Sequence, residues 1–169
     1  LQVLAEMERS YGWFSDAVQT LMRARQEDRL ECSIRGVVAE CLDVEPAYRR
    51  PVEAVLGDRL QALIVDGLPD ACAAVTFLKQ TGAGQNHFIP RTLPPPEPAS
   101  PPVPHNWFPL RQVVTPLPGH EAVVAGLLHN AFLCPDLEHA LAWWHRFPNT
   151  CTLVTPAGEV LSKEGTLWG

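Results

Sequence analysis

The residues of this sequence with the most chemistry to offer are five cysteines, Cys32, Cys41, Cys72, Cys134 and Cys151, and six histidines. Thiols at C-x-x-C spacing would do redox chemistry or hold zinc, but no pair here is so spaced and their number is odd. Each sits among apolar or strand-like neighbours, so we expect reduced thiols packed in a core. A catalytic zinc site of the H-E-x-x-H kind has no counterpart. His87, His105, His120, His129, His139 and His145 are scattered, as surface or core histidines are. Phosphate chemistry would call for G-x-x-x-x-G-K-[ST]. Gly82-x-Gly84 is not followed by the third glycine and helix of a dinucleotide loop, and there is no G-x-S-x-G elbow for an activated serine. No metal, no cofactor and no catalytic residue is expected, which points away from an enzyme. Trp143-Trp144 could stack bases, but within a helix the pair reads as packing.

Charge and composition narrow the field further. The formal net charge is −6, so the chain as a whole does not attract DNA, and any contact must come from local basic clusters. Hydrophobic residues make up 46%, enough for a core rather than a disordered chain. No apolar run approaches the roughly 20 residues of a membrane span. The opening LQVLAEMERSYGW lacks the basic and apolar regions of a secretion signal, so the expected location is cytoplasmic. Leu1 in place of Met suggests a segment of something longer.

The elements that would carry these residues can be read from periodicity and punctuation. Leu1, Leu4, Met7 and Tyr11, then Phe14, Val18, Leu21 and Met22, place an apolar stripe on a helix over 1–26, with Ser15 or Asp16 as a cap. That helix is a candidate end of a coiled coil, though too few apolar positions are present to fix heptads. Ser33–Cys41 reads as a strand, Val44–Pro46 as the opening of a helix that stops at Gly57, and Leu60–Asp66 as a strand. Pro69–Gln80 reads as a helix ended by Gly82, and Asn86–Pro90 as a strand. Residues 92–109, with the run PPPEPASPPVP, read as a semi-rigid extended connector. The pattern then restarts with a strand at Val113–Val114 and a helix over His120–Leu128. A strand at Asn130–Cys134, a helix over Asp136–Phe147 and a hairpin of Thr152–Thr155 with Glu159–Ser162 follow. Val44-Glu45-Pro46 and Val114-Thr115-Pro116 each lead into an apolar helix, an apolar strand and an Asp-led second helix (Asp70, Asp136), which suggests two related lobes.

Taken together these segments resemble a known family. Ser10-Tyr11-Gly12-Trp13-Phe14-Ser15-Asp16-Ala17-Val18 is similar to the end of the incoming coiled coil of bacterial SMC proteins. Gly36-Val37-Val38-Ala39-Glu40 resembles the strand that opens their hinge. Val44–Tyr48, Val52–Gly57 and Leu60–Val65 resemble its first lobe, and Phe77-Leu78-Lys79 and Gly84–Pro90 the helix end and edge strand that follow. Leu153-Val154-Thr155 and Gly158–Leu161 resemble the second-lobe hairpin, and Gly165–Gly169 stands where the family has a glycine-rich ending. Glu164 and Trp168 depart from the glycine and threonine usual there.

The resemblance implies an α+β hinge of two pseudo-repeated lobes joined by the proline-rich connector. Its parts would be an arm end and leading helix at 1–32, lobe I at 33–91, the connector at 92–109 and lobe II at 110–169. It implies a homodimer that joins two coiled-coil arms in chromosome condensation and segregation. The ATPase head and kleisin-type partners would be reached only through other parts of the parent protein. The implied dimer interface comprises Gly84, Gln85, Asn86, His87, Phe88 and Ile89 with Leu161, Gly165, Thr166 and Leu167. Gly84→Glu together with Gly165→Glu is expected to give a folded monomer. Weak DNA contact is expected through Arg23, Arg25 and Arg29, with Lys79 and Arg91, and Arg49 with Arg50, as further candidates. A nucleic-acid-binding domain with incidental dimerisation is the alternative, and a small-molecule-binding α/β domain a third.

Overall fold

A computed structural model describes residues 14–92, 94 and 102–169. Residues 1–13 of the arm helix, and Leu93 and 95–101 of the connector, lie outside the described residues. In chain order the elements are α1 (Asp16–Gln26), β1 (Ile34–Val37), β2 (Leu42–Val44), α2 (Arg49–Leu56), β3 (Leu63–Val65), α3 (Leu68–Thr81), β4 (Phe88–Pro90), β5 (Phe108–Pro109), β6 (Val114–Pro116), α4 (Glu121–Leu127), β7 (Ala131–Leu133), α5 (Leu137–Arg146), β8 (Thr152–Val154), β9 (Val160–Leu161) and β10 (Leu167–Trp168). Short 3-10 segments at Val38–Glu40, Pro46–Tyr48, Gly57–Gln61 and Leu110–Val113 join some of them. The chain divides into two compact units: residues 1–40 with 58–93, and residues 41–57 with 94–169.

In the first unit the sheet order is β1-β3-β4, with β1 antiparallel to β3 and β3 parallel to β4. A parallel neighbour requires a crossover, and α3 supplies it. Leu63, Ile64 and Val65 are all buried, which is why this central strand reads as an unbroken apolar run rather than an alternation. Ser15 caps α1 by accepting from the Val18 amide. Val18, Leu21 and Met22 then fall on one face and pack with Leu63, Val65, Ala74 and Leu78. Asp70 closes the start of α3: its Oδ2 accepts from the Gly67 amide at 3.2 Å and its Oδ1 from the Ser33 amide at 2.9 Å.

In the second unit the sheet order is β10-β9-β8-β7-β5, and β2 and β6 form a separate antiparallel ladder. β5 runs antiparallel to β7, and β7 parallel to β8 through α5. The first unit has the same plan, so the strand–helix–strand order recurs. Asp136 caps α5 by accepting from the His139 amide at 2.9 Å. Trp107, Phe132, Cys134, Ala140, Cys151, Leu153 and Leu161 form one core cluster, with Trp143 packed against it 5.7 Å from Trp107.

Two boundaries differ from the sequence expectation. Residues 41–57 belong with the second unit rather than with 33–91, because Leu42, Asp43 and Val44 pair with Pro116, Thr115 and Val114. Nothing local in the sequence encodes that ladder. The C-terminal part of 92–109 is also not a spacer: Trp107 is buried, and Phe108–Pro109 pairs with Leu133 and Phe132 as an edge strand, where a proline's missing donor does no harm. Cys41, Cys134 and Cys151 are buried and Cys32 is half-buried, but Cys72 is exposed on α3 and is not a core residue. Among the described residues no cluster of His, Cys, Asp and Glu could hold a metal ion, and no helix is long and apolar enough to cross a membrane.

Candidate dimerisation interface

A strand at the end of a sheet carries unpaired N–H and C=O groups, and proteins cover, charge or pair such edges. β4 ends the first unit's sheet and β10 ends one side of the second's. The two stretches singled out in the sequence fall on these edges, one in each unit, and each is described in turn.

The segment 84–89 leads into and forms β4. Gly84, Gln85 and His87 are exposed, while Asn86, Phe88 and Ile89 are half-buried. Gly84 has φ +99°, a conformation that favours glycine, and a Cβ there would meet no atom within 4 Å. The segment is tied to its own sheet on one side only. Leu63 donates its amide to the His87 carbonyl at 3.0 Å, and the Asn86 side-chain amide donates to the Gln61 carbonyl at 3.1 Å. Ser15, Asp58, Gln61, Gln85, Asn86 and His87 line a polar cleft of about 270 Å³. On the α3 side, Val75, Leu78 and Phe88, with Lys79, Gly84, Gln85 and Asn86, line a second recess of about 250 Å³.

The segment 161–168 is a tight hairpin. Ser162 and Thr166 exchange bonds: the Ser162 amide donates to the Thr166 carbonyl at 2.8 Å, and the Thr166 amide to the Ser162 hydroxyl at 3.0 Å. Thr166 and Leu167 are exposed. Leu161 is not: it is 3% exposed, pairs with Leu153 on one side and Leu167 on the other, and its side chain belongs to the core. It therefore drops out of the expected interface. Gly165 also serves the fold. Its φ is +91°, and a Cβ would lie 2.9 Å from the Trp144 ring, whose Nε1 donates to the Lys163 carbonyl under the same turn. The expectation of a folded monomer from the double glutamate variant is thereby corrected, because the second substitution strikes packing within its own unit.

Nothing in the sequence marked Trp168, 43% exposed beside Leu167 at 48%, or Val75, 37% exposed near β4, as exposed apolar residues at these edges. Alternation along a two-residue strand gives too short a pattern to find the first, and Val75 lies on the apolar stripe expected to be core.

The basic candidates Arg23, Arg25, Arg29, Lys79 and Arg91 are exposed in the first unit, and Arg49 and Arg50 in the second. Two are already engaged. Arg29 pairs with Glu27 at 2.5 Å, and Arg91 reaches Asp66 at 3.6 Å. Asp66 also takes both Arg35 donors, at 2.8 and 2.7 Å, and this bidentate pairing holds its carboxyl below the usual carboxylate range. Two of the buried thiols are poor nucleophiles: burial pushes Cys134 up to about 12, and raises Cys151 as well.

Two units built on one strand–helix–strand plan, each with an unpaired sheet edge, define an α+β protein with a recurring lobe. The comparisons agree with that class. The model of the SMC proteins flexible hinge domain matches residues 31–144. The chromosome partition protein Smc of Myxococcus xanthus is 35% identical across the whole of this chain, and that of Bacillus subtilis 27% identical across 99% of it. The chain spans 14% of the length of each. The SMC hinge domain of Geobacillus stearothermophilus, crystallised as an asymmetric dimer, superposes with a TM-score of 0.85 at 27% identity, covering 99% of this chain and 70% of that one. The chain belongs to the SMC flexible hinge domain family.

Proposed function

We propose that this chain is the homodimerising hinge of a chromosome partition protein. In this reading it links two coiled-coil arms, and the ATP-hydrolysing head and kleisin-type partners are reached through other parts of the parent protein. The reading places it in the cytoplasm on the nucleoid and assigns it no catalytic step. The observation that carries it is the pair of unpaired edges: β4, approached by the exposed stretch Gly84–His87, and β10, with Thr166 and Leu167 exposed. A two-fold dimer that joined the β4 edge of each copy to the β10 edge of the other would cover both edges twice. Gln85, Asn86, His87, Phe88 and Ile89 would contribute from one side, and Thr166 and Leu167 from the other.

Light scattering of the purified chain across a dilution series tests this. A mass of about twice 18.6 kDa is expected at tens of micromolar. A monomer there would overturn the reading. Gly84→Glu, which meets no neighbour in its own unit, should give a folded monomer.

Exposed Arg23 and Arg25 at the end of α1 favour a second, minor role in touching DNA. With a net charge of −6 and Arg29 and Arg91 already paired, binding should be weak and should vanish as salt rises. Tight binding that persists at high salt would make nucleic acid the main ligand instead.

A further inference from the structure

The amide of an N-cap residue finds no partner within its own helix. A common local answer is a Glu or Gln at the third helical position, whose side chain reaches back to that amide. In α1 the cap is Ser15 and the third position is Val18, which has no acceptor to offer. Gln61 supplies it instead: its side-chain carbonyl accepts from the Ser15 amide at 2.7 Å, across 46 positions of chain. Gln61 also holds the far side of the same polar cleft. Its backbone carbonyl accepts from the Asn86 side-chain amide at 3.1 Å, and that amide reaches the His87 carbonyl at 3.3 Å as well. The residue itself is well fixed. It ends the 3-10 segment Gly57–Gln61, and the next residue, Ala62, is fully buried. The Ala62 amide donates to the Arg59 carbonyl at 3.1 Å, and its carbonyl accepts from Val38 at 3.0 Å. Gln61 thus bonds the start of α1 with its side chain and the approach to β4 with its backbone.

We infer that Gln61 is a positioning residue that couples the β4 edge to the start of α1, so that covering the edge firms the helix start and uncovering it loosens the helix start. This rests on the hinge reading above, in which a second copy covers the edge, and adds what that cover does inside the unit. The approach to β4 is tied to its sheet on one side only, so a strand laid on its open side orders it. Ordering Asn86 steadies the Gln61 carbonyl, and Gln61 in turn steadies the Ser15 amide. Such coupling is reciprocal: what dimerisation adds to the hold on Ser15, loss of that hold takes from dimerisation. In the hinge reading α1 is where the incoming arm ends, so the state of the interface reaches the arm root through this side chain.

The test follows hydrogen exchange of the Ser15 amide by NMR in the whole chain, beside the dimer dissociation constant from sedimentation. Gln61→Met keeps the length of the side chain and removes its acceptor, and should speed Ser15 exchange about tenfold. Gln61→Glu keeps an acceptor and should hold the rate near that of the unaltered chain. Asn86→Ala leaves the Gln61 side chain intact, yet should speed Ser15 exchange about threefold, and should add nothing on top of Gln61→Met. The dissociation constant should rise about threefold in Gln61→Met and stay put in Gln61→Glu. Exchange of the β8 amides in the second unit checks that the fold is kept, and Asn86→Ala carries the test if Gln61→Met melts early. Ser15 exchange unmoved by Asn86→Ala, or released by Gln61→Met with an unchanged dissociation constant, would overturn the coupling while leaving the hinge reading intact. A monomeric unaltered chain would overturn the hinge reading itself, and the Asn86→Ala variant would still decide the link within the unit.

Discussion

The two free sheet edges are built on the same strand–helix–strand plan, yet they are held differently. The approach to β4 is loosely secured: Gly84 has open space around it, and the segment is tied through Asn86 and His87 to one neighbour. The turn before β10 is locked, with Ser162 and Thr166 bonded twice and Gly165 pressed on the Trp144 ring. A glycine before an edge strand can thus leave a surface open or permit a turn to close, and only its surroundings distinguish the two. Gly165→Glu should be the most damaging single change on either edge. A positive φ strains any side chain, and the Cβ would have to displace an indole fixed by its own hydrogen bond. We expect a loss of about 3 kcal/mol or more in urea unfolding. Gly84→Glu meets only the backbone strain and should lose about 1–2 kcal/mol. Equal losses at the two sites would erase the contrast.

The helix starts sharpen the comparison at a smaller scale. Asp70, three residues after the N-cap Gly67 of α3, and Asp136, the N-cap of α5, both serve a helix start and do unequal work. Asp136 serves its own helix through the His139 amide. Asp70 bonds its own turn at Gly67 and also holds Ser33, 37 residues away, at the entry to β1. Asp136→Ala should cost about 1 kcal/mol, as a lost N-cap does. Asp70→Ala should cost about 2 kcal/mol, because a second amide loses a charged acceptor. Chemical denaturation of the two variants measures the difference, and a larger loss at Asp136 would mean that the long-range bond to Ser33 contributes nothing.

What was legible in the sequence follows the range of the interactions. The cap at Ser15, one of the two residues offered for it, the stops at Gly57 and Gly82, the Asp136-led helix and a strand within the apolar run Leu60–Asp66 are decided within a few residues, and the structure has each of them. The β2–β6 ladder joins residues some seventy positions apart, so 41–57 read as part of the first lobe. Phe108–Pro109 was hidden by prolines that forbid an interior strand but tolerate an edge. The stretch Gly84–Ile89 is assigned to the interface through family resemblance. That resemblance also brought in Leu161, whose burial depends on Leu153 and Leu167 flanking it, a fact about the sheet and not about the residue. Val75 failed in the opposite direction, because an apolar stripe shows which side of a helix is greasy but not how far the sheet beneath it extends.

The smallest expected effect lies at the start of α5. His139 sits one turn inside the helix with its ring Nδ1 2.7 Å from Asp136 Oδ1. A positive charge near a helix N-terminus is ordinarily disfavoured, but the hydrogen bond to Asp136, helped by its charge, raises His139 above the usual 6.5. The His139 amide and ring in turn hold Asp136 below 3.8. A raised histidine favours the fold fully below pH 6.5 and loses that contribution as pH climbs through the raised value; the depressed aspartate favours it above 3.8 and loses its contribution as pH falls through the lowered one. Both groups are solvent-exposed, so the pair is screened by salt and its effect on the melting temperature should be small. α3 has an aspartate, Asp70, where α5 has His139, so it carries no such pair. The His139 ring, followed by NMR, should titrate above 6.5, and Asp136→Asn, which retains a capping oxygen, should return it toward 6.5. An unchanged midpoint in that variant would show that the ring takes its proton affinity from elsewhere, and that the two helix starts differ only in their caps.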